Sequence, residues 1–157
     1  MNEKVAKKIG EAHAFARVLS TTFSSNKSVM SELFGDYAPA ILDVTAGQRS
    51  DLGAIAGKYE MSDIVLPKSE RTAAKITTMG EMYVGDDWDD VAEVLEWMSF
   101  FVGGAIVHWQ LIAGSAEVMQ DEELLSIAQT GTGYYADLMS QLRLYSVVVG
   151  GERARIE

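Results

Sequence analysis

The stretch Val91–Met119, VAEVLEWMSFFVGGAIVHWQLIAGSAEVM, carries the clearest structural signal in the chain. Within it Leu95, Met98, Val102, Ala105, Trp109, Ile112, Ala116 and Met119 recur at spacings of three and four, the signature of one helix face turned into a bundle. Its longest apolar run, Trp97 to Val107, is eleven residues between Glu96 and His108. That is too short for a membrane span and reads as a core helix. Trp88, Trp97, Phe100 and Val107 fall off the inner seam, so the helix is apolar nearly all round. A second buried face follows, which predicts a homodimer through this third long helix.

Working outward, Asp86-Asp87-Trp88-Asp89-Asp90 precedes the helix. Its spacing is not that of a calcium loop, and carboxylates at a helix start satisfy free N–H groups, so the cluster reads as capping. After a tight Gln120-Asp121 turn, Leu124, Ala128, Gly131, Tyr135, Leu138, Leu142, Tyr145 and Val149 mark the seam of a fourth long helix. Gly150-Gly151 is expected to end it, leaving residues 152–157 as a tail behind a single domain of residues 1–151.

Upstream, Val5, Ile9, Ala12, Ala16, Leu19 and Phe23 outline a first helix from Glu3 to about Phe23. A short helix is expected over Lys27–Phe34, stopped by Gly35. Pro39 suits a first helical turn, so a second long helix is expected from Pro39 to Tyr59, with Ile41, Thr45, Gln48, Leu52, Ile55 and Tyr59 inward. Residues 60–87 carry the weakest pattern. Met61–Leu66 reads as extended before Pro67, and Ser69–Met82 as a short helix. The fold class is therefore all-α: a four-helix bundle with a long crossover between its second and third long helices, plus one or two short connecting helices.

Composition narrows the chemistry. The 157 residues hold 23 Asp+Glu against 13 Lys+Arg, a formal charge of −10, which argues against binding nucleic acid or an anionic membrane. No cysteine is present, so thiol catalysis, disulfides and Cys-ligated metals are excluded. The first residues lack the apolar core of a signal peptide, and a cytoplasmic location is expected. With two histidines and no Gly-x-Ser-x-Gly pattern, nucleophilic hydrolysis has no support, and no catalytic residue is assigned. The methionines and aromatics read as core.

Two features remain. Gly47, Gly53, Gly57, Gly103, Gly104, Gly114, Gly131 and Gly133 fall inside expected helices, each costing about 1 kcal/mol relative to Ala. They imply either close helix approach or room for a ligand. Second, His13, Gln48, His108 and Tyr135 fall near mid-height on the inward-leaning faces of four different helices, as a candidate polar layer and cofactor pocket. Such a layer is a mutually satisfied network, a ligand pocket, or a set whose histidines face solvent. As a metal site, His13 and His108 would bind zinc, copper or iron with Tyr135 assisting, while the nearest carboxylates, Glu11 and Glu96, sit off their seams.

The segment Ala105-x-x-His108-Trp109, then Gly114 and Asp121-Glu122-Glu123-Leu124, resembles the second helix pair of small bacterial ferritin-like proteins over residues 88–149. The resemblance implies a ferritin-like bundle. That family's di-iron members carry Glu-x-x-His on two helices, and the motif occurs nowhere in this chain, so no di-iron centre is expected and the cofactor stays unknown. The expected function is thus a non-catalytic, oligomeric bundle binding a small ligand beside a glycine-lined mid-layer. The alternatives are a mononuclear metalloprotein using His13 and His108, or an acidic adaptor or immunity-type protein covering a basic partner.

Overall fold

Asn2 opens the first helix: its side chain accepts a hydrogen bond from the Val5 N–H at 3.0 Å, capping α1, Glu3–Ser25. In the computed structural model, which describes residues 1–155, this helix is followed by α2 (Lys27–Phe34) and a 3₁₀ turn (Gly35–Ala40). Then come α3 (Ile41–Lys58), α4 (Ser62–Val84), α5 (Val91–Met119) and α6 (Glu122–Arg153). No strand occurs among the described residues. The all-α bundle expected from periodicity is the architecture observed.

The seams face inward as the spacing requires. Ile9, Ala12, Leu19, Ile41, Leu52, Val102, Trp109, Ile112, Leu124 and Leu138 are fully buried. Helices α5 and α6 pair most extensively across their tight turn, α1 packs on α3 and α5, and α3 touches α6. These four make the frame. The crossover from α3 to α5 differs from the sequence expectation: it is one 23-residue helix, α4, laid along α1.

Helix α4 runs straight through Pro67, although a proline disfavours helix in the residue before it and removes one backbone donor. Packing outweighs that local cost. Val65 and Ser69 are buried, and Gly10 of α1 brings the two backbones together: a Cβ at Gly10 would lie 2.7 Å from the Val65 carbonyl oxygen. The row Ala6, Gly10, Ala14 is the flat surface that admits α4.

Both tight connections use the same device. Glu60 and Gln120 take left-handed backbone (φ 55° each) just past their helices. The Met61 N–H then reaches the Ala56 carbonyl at 2.8 Å, and the Asp121 N–H reaches that of Ala116 at 3.0 Å. Two helix ends depart from expectation. Pro39 lies in the 3₁₀ turn, so α3 begins at Ile41. Helix α6 passes through Gly150-Gly151 to Arg153, whose guanidinium holds Asp90, the N-cap of α5, at 2.7 Å. Of the expected tail, residues 152 and 153 are therefore helical, and residues 156–157 lie outside the described residues.

Candidate functional site

The four polar residues of the expected layer divide three ways. Tyr135, fully buried on α6, donates its hydroxyl to the Gln48 Oε1 of α3 at 3.2 Å. Burial raises the Tyr135 pKa far above that of a free phenol, so the pair is a neutral hydrogen bond that satisfies itself. His13 turns to α4 instead and shares a hydrogen bond between Nδ1 and Ser69 Oγ at 2.7 Å. Burial lowers its pKa, and the nearby Arg49 and Arg17 push the same way. His108 points to neither. Its Nδ1 donates to the Gly104 carbonyl at 2.8 Å, and its Nε2 lies 3.1 Å from Glu11 Oε2. Of the four, Gln48 and Tyr135 share a hydrogen bond, and each histidine bonds outside the set. Among the described residues, no three His, Asp or Glu side chains gather as a metal-holding group.

The glycines split as well. A Cβ at Gly131 would stand 2.4 Å from the Trp109 ring, one at Gly80 3.0 Å from Trp97, and one at Gly104 3.2 Å from Phe15. These three make room for aromatic rings. Gly47, Gly53, Gly57, Gly114 and Gly133 would meet nothing within 4 Å. Trp109, wedged over Gly131, leaves its indole N–H buried without a partner.

A better candidate lies where α1, α4 and α5 meet. A groove of about 380 Å³ opens there. Phe15 and Glu11 of α1 form its floor. Lys68, Thr72, Lys75, Ile76 and Met79 of α4 line one wall, and Trp97, Phe100, Phe101, Gly104 and His108 of α5 the other. That volume falls within the range of small-molecule sites, about 300–1,000 Å³. Its walls are mainly aromatic and aliphatic. The Phe15 and Phe101 rings lie 5.1 Å apart, and Phe15 stands 4.9 Å from the His108 ring. Met79 and Phe100 stay largely exposed at the open end.

The part of the groove around Glu11 is charged. Glu11 is buried to 9 % exposure and accepts from Lys8 at 2.7 Å and Lys68 at 2.9 Å, with His108 beside it. Burial works to raise its pKa, but the hydrogen bonds from the two lysines outweigh that, and the carboxyl is held below its ordinary range. Lys75 makes no ion pair among the described residues. On a chain of net charge −10, this groove is a cationic exception. A second concavity of about 580 Å³, between Phe23, Lys27, Pro39 and Leu42, has no comparable convergence of charge and aromatic rings.

Compared with protein-family models, with curated proteins and with solved structures, the chain matches none. The site therefore rests on its own geometry. In the sequence Glu11 lies off its seam, and Lys68 and Lys75 fall in the weakly patterned stretch that folds as α4. Once a helix lies on the Ala6–Gly10–Ala14 face, Glu11 sits at a three-helix junction. The one sequence signal was Gly10 itself, spaced by four from two alanines.

Proposed function

We propose that the protein is a non-catalytic helical bundle that binds a small, largely apolar ligand in the groove between α1, α4 and α5. The observation that carries this reading is the groove itself: an open, aromatic-walled space ending in a hydrogen-bonded charge cluster. The mid-layer offers no such space, because Gln48 and Tyr135 bond to each other and Trp109 fills the step above Gly131. Helix order, with a crossover joining α3 to α5, supports reading the frame as ferritin-like without the di-iron ligand set.

Decanol, a neutral probe, should bind saturably with one site per chain and perturb tryptophan emission through Trp97. Thr72→Phe, which fills the groove from its rim, should remove that binding while circular dichroism stays helical. Absence of saturable decanol binding by the wild-type chain would overturn the reading.

We further propose that the bundle pairs with a second copy through α5. Phe100, Val107, Leu111 and Val118 are 65, 53, 47 and 86 % exposed and form a stripe at spacings of seven and four along one face of α5. No Asp, Glu, Lys or Arg interrupts α5 between Trp97 and Ala116. The stripe is symmetric about Trp109, as an isologous antiparallel contact requires. It sets Phe100 against Val118 of the second copy and Val107 against Leu111. A monomer by light scattering over a wide concentration range would sink this pairing.

A further inference from the structure

The charged end of the groove specifies more than its apolar walls do. Lys68, Thr72 and Lys75 follow one another on α4 at steps of four and three, so a cation, a hydroxyl and a second cation line one wall about a turn apart. Lys68 shares Glu11 with Lys8 and His108, which leaves the cluster with more positive than negative groups around one carboxylate. Lys75, two turns on, has no acidic partner among the described residues. Below this wall, Phe15 and Ile76 lead to Trp97 and Phe100, with no further charged side chain lining the groove.

We propose that the ligand of this groove is an amphipathic carboxylate, an aliphatic or aromatic acid. Its head lies between Lys68 and Lys75 with Thr72 as a hydroxyl donor, and its apolar body runs toward Trp97 and Phe100. This inference rests on the groove being a ligand site, and it adds the chemical class. Lys75 is exposed and has no acidic partner among the described residues, so an acid gains an ion pair there that a neutral ligand lacks, and a cationic ligand would face two ammonium groups. A polyanion finds only two cations, one already shared with Glu11, so a single negative charge fits best.

The test compares decanoate, decanol and decylammonium by calorimetry at low salt and at about 0.5 M NaCl, where the Debye length falls to a few ångströms. Decanoate should bind about tenfold tighter than decanol at low salt, and most of that advantage should vanish at high salt. Decylammonium should bind worst. Lys75→Glu should abolish the preference for the acid, and Lys75→Arg should keep it. Equal affinities of decanoate and decanol, or a preference that survives in both Lys75→Glu and Lys68→Gln, would overturn the carboxylate assignment alone. Binding of none of the three would overturn the groove reading, and this assignment with it.

Discussion

Gly131 and Gly47 occupy the same kind of helical backbone and do opposite things. At Gly131 a Cβ would enter the Trp109 ring at 2.4 Å, and the ring is fully buried between α5 and α6 with no room to retreat. Gly131→Ala should therefore destabilise the protein by about 1–3 kcal/mol, the usual cost of overpacking a filled core. Gly47, Gly53 and Gly57 meet nothing within 4 Å, so they leave α3 with conformational freedom in the unfolded state and no compensating contact. Gly47→Ala and Gly57→Ala should each stabilise by about 0.4–1 kcal/mol. Urea unfolding of the single variants checks both signs. Neutral results at both classes would mean that backbone propensity and ring packing do not govern these positions. The sequence made the eight helical glycines conspicuous, but it could not sort them. What sorts them is the identity of the facing side chain, which lies on another helix.

At the scale of elements, the joint between α5 and α6 carries the most concentrated chemistry. Asp121 caps α6 by accepting from the Leu124 N–H at 3.0 Å, and it also accepts from the Tyr59 hydroxyl at 2.5 Å and from Lys58. One carboxylate thus ties the end of α3 to the start of α6. The Tyr59 hydrogen bond, with help from the cap and Lys58, lowers the Asp121 pKa despite its burial. A carboxylate lowered on folding contributes stability above the ordinary range, near pH 4, and that contribution is lost as pH falls through the lowered value. Asp121→Ala should cost about 0.5–2 kcal/mol at pH 7, as loss of an N-cap does, and the gap to wild type should narrow below about pH 4. Denaturant midpoints at pH 7 and pH 3 measure it. A gap that stays constant would show that the ionised carboxylate plays no part.

The same scale explains which elements were legible. The seams of α1, α3, α5 and α6 repeat at three and four without interruption, and the structure buries most of each, leaving Val5, Tyr59, Met119 and Tyr145 half-buried. Helix α4 reads in the sequence as extended chain and a short helix, because Pro67 is a strong local signal against helix. Its stability comes from a non-local cause, the Gly10 close approach, which no window around Pro67 contains. That single omission hid the groove, since α4 supplies one of its walls. Within the expected polar layer, Gln48 and Tyr135 were placed on the correct facing helices. His13 turns instead to Ser69, which lies on the helix the sequence does not disclose, and His108 meets Glu11, one of the two carboxylates that spacing places nearest the histidines but off the seam.

For the whole molecule, the deciding quantity is the net charge of −10. Two copies meeting through the α5 stripe bring together surfaces of the same sign, while the stripe itself carries no charge between Trp97 and Ala116. The attraction is then apolar burial, which salt does not weaken, and the opposition is long-range repulsion, which salt screens within about 10 Å at 0.1 M. Dimerisation should tighten as NaCl rises, whereas a carboxylate held between Lys68 and Lys75 should loosen over the same range. Sedimentation equilibrium at low salt and at about 0.5 M NaCl reads the first trend. The absence of cysteine makes the geometry testable as well, because any introduced thiol is unique. A mixture of Phe100→Cys and Val118→Cys chains should form a disulfide between the two variants under oxidation, and neither variant alone should form one. A parallel pairing would do the reverse, linking each variant to itself. Leu111→Asp places a carboxylate at the centre of the stripe on a half-exposed position, so it should yield a folded monomer; a dimer persisting in that variant would place the contact elsewhere on the molecule.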